Sequence, residues 1–373
     1  MKIIIKKDVL LDHLNKVSKA ISTKNLVPAL AGIKFDLKKD GLTLTASDSD
    51  ITIQTFIPYE KETMTISEEG SIIIQGRYIL DIVRKIPDKT IKIDVFDEMK
   101  IIIYTENSEY NLNGINKREY PNITLEESKT PIVIPSQTLK TLINQTSFAT
   151  STDESRPPLT GINFKITGDI LECNATDSYR LARKTIKLAE TVNNSYNIVI
   201  PSRNIVEVSK IIDDDSNVEL HIFNNKILFK SKNLLFQSRL INGSYPNTTN
   251  LLPQSSILKI TVNINDLYNV IDRVSILTSD KEKNIVSLET KDNILIMRSS
   301  SVEIGRVEEK MNITKDTKEE IKISFSARYM MEALKVLSGD TAIITFVGEV
   351  NPIIVQDSQD LDLIQLVLPI RTY

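Results

Sequence analysis

The chain has 373 residues, 41% apolar and 25% charged, with no tryptophan. That balance excludes a fibrous or disordered chain and supplies several hydrophobic cores, two to four domains at ~100–200 residues each. A net charge of −3 argues against a protein that coats DNA through overall basic character. One cysteine, Cys173, excludes an intrachain disulfide and any multi-cysteine metal site.

The opening run Ile3-Ile4-Ile5 is too short for a signal-peptide core, and no stretch approaches the ~20 apolar residues of a membrane span, so a cytoplasmic protein is expected. In 8–21 the apolar positions Leu10, Leu14, Val17 and Ile21 step by helical spacing. Alternating strands follow, such as Leu42-Thr43-Leu44-Thr45, joined through turn signals such as Lys39-Asp40-Gly41. A second helix carries Ile79, Ile82, Val83 and Ile86 and stops at Pro87. A third begins at Ser136, read as its N-cap, with Leu139, Leu142 and Ile143. The fourth starts at Ser202 with Ile205, Val208, Ile211 and Ile212. Leu267, Val270, Ile271, Val274 and Leu277 mark the fifth; Met330, Leu334 and Leu337 mark the sixth, after Ser326.

The starts, near 8, 77, 137, 203, 265 and 327, recur at nearly constant spacing, the signature of internal duplication. Words recur at twice that period. Gly32-Ile33-Lys34-Phe35 returns as Gly161-Ile162-Asn163-Phe164, and Tyr120-Pro121-Asn122 as Tyr245-Pro246-Asn247. Three similar α+β domains are expected, 1–128, 129–254 and 255–373, each with two helices packed on antiparallel sheets.

No catalytic constellation is present. His13 and His221 fit no metal spacing, and no phosphate loop, dinucleotide fingerprint or nucleophile elbow occurs. The clusters Asp48-Ser49-Asp50 and Asp213-Asp214-Asp215 fall at strand ends or turns, where Asp serves the backbone. An enzyme, a metal site and a cofactor are not expected. The predicted helices carry eleven basic against seven acidic residues in a chain that is acidic overall. A mildly basic helix face suits loose, sequence-blind phosphate contact, although solvated helix faces look the same.

Four segments carry a family resemblance: Leu26-Val27-Pro28-Ala29-Leu30 near the start, Arg156-Pro157-Pro158-Leu159-Thr160-Gly161 with Ala175-Thr176-Asp177-Ser178-Tyr179-Arg180-Leu181-Ala182, Ile241-Asn242-Gly243-Ser244-Tyr245-Pro246-Asn247, and Leu366-Val367-Leu368-Pro369-Ile370-Arg371. Together they resemble bacterial DNA sliding clamps over the whole length. The resemblance implies the DNA-clamp fold and a head-to-tail homodimer closing a ring of six domains, helices inside and sheets outside. It implies a processivity factor that encircles duplex DNA. Implied partners are the clamp loader and the replicative polymerase alpha subunit, then translesion polymerases, ligase and mismatch-repair proteins.

By resemblance, a peptide-binding pocket falls on Leu159, Thr176, Ser178, Tyr179, Arg180 and Leu181, with Pro246, Leu251 and Tyr329, and Leu366, Leu368 and Pro369 at the chain end. DNA contact falls on Lys24, Arg77, Arg156 and Arg203. The ring interface falls on Tyr110, Ile276 and Leu277. Some members carry an aromatic pair where this chain has Pro157-Pro158, a change that removes stacking surface near the expected pocket and DNA, and Gly where it has Ser178.

Overall fold

The computed structural model describes residues 1–21, 27–97, 99–253, 255–278, 284–301 and 304–371. Six α-helices are present among them: α1 (Lys7–Val17), α2 (Gly76–Lys85), α3 (Ser136–Ser147), α4 (Ser202–Ile211), α5 (Ile264–Ser275) and α6 (Ala327–Lys335). Each starts within a residue of its place in the sequence pattern. Their apolar stripes are buried: Leu10, Leu14 and Val17 on α1, Ile79 and Val83 on α2, Leu267, Val270, Ile271 and Val274 on α5. A stripe of this period must cover a core, and burying one Leu or Ile contributes roughly 1.5–3 kcal/mol.

Each helix is entered directly from a strand, for example Lys2–Lys6 into α1 and Leu258–Asn263 into α5. The repeating half is therefore strand–helix–strands. Ser136 does not cap α3: its hydroxyl donates to the Ser216 carbonyl at 2.7 Å, tying the helix start to a neighbouring strand. Backbone pairing supplies that partner, so the serine is drawn away from the helix N–H groups.

The chain forms two compact units, one of residues 1–139 and 203–240, the other of 140–202 and 241–373. All strand pairing among the described residues is antiparallel. In the first unit an eight-stranded sheet runs Ile132–Pro135, Asn217–Ile222, Lys226–Ser231, Leu234–Arg239, Ile51–Pro58, Gly41–Ser47, Gly32–Lys38, Gly70–Gln75. A five-stranded sheet there ends on Glu109–Asn113. In the second unit a seven-stranded sheet contains Gly161–Thr176, Arg180–Pro201, Leu363–Val367 and Ile353–Asp357 in that order. A four-stranded sheet there ends on Gly305–Asn312 and Lys322–Ser326.

These units do not coincide with the three stretches that the sequence repeat marks, and the sheets explain why. Leu234–Arg239 pairs with Ile51–Pro58, and Arg180–Pro201 pairs with Leu363–Val367, so each large sheet continues across a repeat boundary. Continuing the sheet gives those strands a partner in place of an open edge.

Candidate functional site

Four of the anticipated pocket residues, Thr176, Ser178, Tyr179 and Arg180, lie on or beside one turn. Thr176-Asp177-Ser178-Tyr179 leaves the strand Gly161–Thr176 and returns into Arg180–Pro201. Asp177 Oδ1 accepts the N–H groups of Tyr179 and Arg180 at 3.0 and 3.1 Å, and the Thr176 hydroxyl donates to the Arg180 carbonyl. This closed loop of bonds forces Ser178 to φ 75°, a conformation that glycine adopts without strain and that costs a side chain about 1 kcal/mol or more. The loop presents Tyr179, 58% exposed, at the surface.

Leu368 extends the neighbouring strand, its N–H donating to the Tyr179 carbonyl at 2.9 Å, and Ile370 N–H donates to the Ser324 carbonyl. Between them and α6 lies a cavity of about 700 Å³. Tyr179, Tyr329, Leu368 and Pro369, four residues of the anticipated set, line it. Asn284, Ser326, Arg328 and Ile370 line it too, and no sequence word singled them out. Tyr179 and Tyr329 stack with ring centroids 6.5 Å apart.

Other anticipated residues build the cavity's support. Leu181 and Leu366 face each other across the sheet at 1% and 3% exposure, and Leu159 is buried in the short 3-10 turn Pro157–Thr160. Arg180 is also buried. Its Nε donates to Asp177 at 3.0 Å, one terminal nitrogen to Glu332 of α6 and the other to the Phe148 carbonyl at 2.7 Å. The guanidinium lies 4.5 Å from the Tyr329 ring centre, a placement that a buried cation favours. Arg180 thus positions Tyr329 from below. Pro246 and Leu251 are exposed but are not among the residues lining the cavity. Burial pushes the Tyr245 phenol well above its ordinary range.

Of the cations anticipated for DNA, Arg77 on α2, Arg203 on α4 and Arg156 before the 3-10 turn are exposed. Lys24 lies outside the described residues. The side chains of Arg77 and Arg203 make no hydrogen bond or ion pair among the described residues, whereas Lys16, Arg84, Lys210 and Arg273 are paired with carboxylates. The helices as observed again hold eleven basic and seven acidic residues. At the anticipated interface, Tyr110 is half-buried on the edge strand Glu109–Asn113. Ile276, just past α5, is 71% exposed with Leu277 half-buried beside it.

Asp48 is a turn residue, accepting the N–H groups of Asp50 and Ile51, and Asp213 pairs with Lys16 and Lys232. Glu127, Glu219 and His221 bring three potential metal-ligand atoms together. The geometry there is that of a strap. Ser128 N–H donates to His221 Nδ1 at 2.9 Å, which leaves the proton of the neutral ring on Nε2, and Lys230 Nζ already sits 2.6 Å from Glu127. A protonated nitrogen offers no lone pair to an ion.

No helix among the described residues is long and apolar enough to cross a membrane. Residues 1–124, 133–247 and 249–371 match the N-terminal, central and C-terminal domains of the DNA polymerase III beta subunit. The chain is 44% identical to the Beta sliding clamp of Bacillus subtilis (strain 168) and 38% identical to that of Staphylococcus aureus (strain N315), each alignment covering 100% of both chains. The crystal structure of the DNA polymerase sliding clamp from Bacillus subtilis superposes with a TM-score of 0.96 at 43% identity, again over 100% of both chains. That family is a processivity factor of DNA replication and not an enzyme. This chain belongs to the beta sliding clamp family, the beta subunit of DNA polymerase III.

Proposed function

We propose that two copies of this chain close head to tail into a ring around duplex DNA and tether partner proteins through the cavity between Tyr179, Tyr329 and Leu368. The observation that carries the tether is the cavity itself: about 700 Å³, with two stacked tyrosines, Leu368 and Pro369 beside a few polar groups. Such a lining suits an extended peptide with apolar anchors. The partners follow from the family's role: a clamp loader, the polymerase alpha subunit, and by the same pocket translesion polymerases, ligase and mismatch-repair proteins, all in the cytoplasm. Three domains with boundaries near 128 and 254 are supported by the three matched stretches.

Closure of the ring uses two features. The strands Glu109–Asn113 and Gly305–Asn312 are sheet edges that carry unpaired backbone groups, and Ile276 is an exposed apolar side chain beside Leu277. A contact between Tyr110's strand on one copy and the Ile276–Leu277 end on the other covers both. Arg77, Arg156, Arg203 and Lys24 would face the phosphates.

The test is reconstitution. The purified protein is expected to raise the processivity of a replicative polymerase on primed circular DNA only when a clamp loader and ATP are present. Equal stimulation without loader would contradict the ring, and none with it would contradict the tether. The oligomer is checked by sedimentation equilibrium, expected at twice the 42.1 kDa chain mass. Ile276→Ala with Leu277→Ala is expected to shift that equilibrium toward monomer.

A further inference from the structure

Among the described residues, the cavity beside Tyr179 is lined by one charged side chain, Arg328 of α6, and by no carboxylate. Two carboxylates stand close to its walls, and both are in use. Asp177 holds two backbone N–H groups on Oδ1 and accepts from Arg180 Nε on Oδ2. Glu332 follows Arg328 by four residues on α6, the spacing at which opposite charges on a helix pair. Its Oε2 instead accepts from a terminal nitrogen of Arg180. The buried arginine thus takes the carboxylate that the exposed one would otherwise have.

Both guanidinium groups lie against the Tyr329 ring, Arg180 at 4.5 Å from its centre and Arg328 at 5.1 Å. The first is neutralised twice over. The second is exposed, and beyond the ring its side chain makes no hydrogen bond or ion pair among the described residues. Contact with the ring limits where the guanidinium can go, so its planar fork of N–H donors stays at the cavity wall. An uncharged occupant of the cavity strips water from those donors and returns nothing, and a basic one adds repulsion. A carboxylate replaces the lost water with charge-assisted hydrogen bonds.

We propose, resting on the peptide reading above, that the partner segment held in this cavity carries an acidic residue, Asp or Glu, beside its apolar anchors, and that Arg328 selects it. Asn284 and Ser326, the neutral polar groups of the lining, set no preference of charge. Tyr179, Leu368 and Pro369 fix where the segment sits, and Arg328 fixes which segments are favoured. Because Arg328 is exposed, the selection is modest, about two- to fivefold in affinity.

The test is calorimetry on the full-length protein with blocked hexapeptides of the Gln-x-x-Leu-x-Phe type. The parent peptide has Asn at every x, and Asp replaces it one position at a time, changing charge at nearly constant shape. At one position Asp is expected to bind about two- to fivefold tighter than Asn, with the gain shrinking as salt is raised. Arg328→Gln is expected to abolish that gain, Arg328→Lys to keep part of it, and Arg328→Glu to reverse it. No gain at any position, or the same gain in Arg328→Gln, overturns the selection. So does slower loading onto DNA in Arg328→Gln with the Asp-to-Asn ratio unchanged, which would make Arg328 a phosphate contact. Failure of the pocket is read separately: if the parent peptide binds Leu368→Ala as tightly as the unaltered protein, the peptide reading falls.

Discussion

Arg180 shows how one residue can shape a cavity without lining it. The residue is 8% exposed, and its guanidinium joins Asp177 and Glu332 to the Phe148 carbonyl beneath the Tyr329 ring. Removing the cation leaves two carboxylates without their shared partner. Arg180→Met is therefore expected to cost about 3 kcal/mol, the low end for a broken buried pair because Glu332 is 38% exposed. A urea titration measures the loss, and a peptide bound through Tyr329 should weaken as well. Leu368→Ala is the cleaner probe of binding, since Leu368 lines the cavity; a fall of about tenfold in affinity by calorimetry is expected. His13 gives a pH signature. Burial first, and then Lys16, hold its pKa below the ordinary 6.5, against weaker opposing pulls from Asp12 and Asp213. The folded state then binds fewer protons than the unfolded chain once pH falls below about 6.5. Stability is full above that value and declines beneath it, levelling off below the folded pKa. His13→Gln should flatten that part of a Tm-versus-pH curve; an unchanged slope would assign the acid sensitivity to other groups.

Helices were legible because their period is local: Leu10, Leu14 and Val17 announce a buried stripe whatever lies above it. Strands were legible for the same reason, in runs such as Leu42 to Thr45. Their partners were not. That Leu234–Arg239 joins Ile51–Pro58 depends on residues almost two hundred positions apart, and alternation says only which face is buried. The same limit applies to the site. The turn words around Asp177 could be recognised, but not that Asn284 and Arg328 would reach the same cavity, nor that Arg180 would point inward. The strap after the first matched domain was also invisible. Ser128 N–H rests on His221, with Lys226 and Lys230 paired to Glu126 and Glu127. Each exposed pair is worth about 1 kcal/mol or less, whereas a buried N–H without its acceptor costs roughly 1–3 kcal/mol. His221→Phe is thus expected to speed hydrogen exchange at the Ser128 amide by at least tenfold, and Lys230→Met to change it little. Equal effects would mean the ion pairs hold the strap.

At the scale of the whole molecule the question is how a chain of net charge −3 stays on a polyanion. The helices carry eleven basic residues against seven acidic ones, and several of those cations, Lys16, Arg84, Lys210 and Arg273 among them, already have carboxylate partners. Arg77 and Arg203 have none among the described residues. If such cations alone meet the phosphates, so small a set gives weak equilibrium binding, weakened further by salt as counterion release is lost. A closed ring needs no stronger contact, because it leaves only by opening or by reaching an end. After loading onto nicked circular DNA, the protein is expected to stay on through gel filtration at high salt and to be released when the circle is cut once. Arg77→Ala with Arg203→Ala should slow loading, where DNA is first attracted, and leave retention on the closed circle unchanged. Equal retention on circular and linear DNA, falling steeply with salt, would instead mark an ordinary electrostatic binder and overturn the ring.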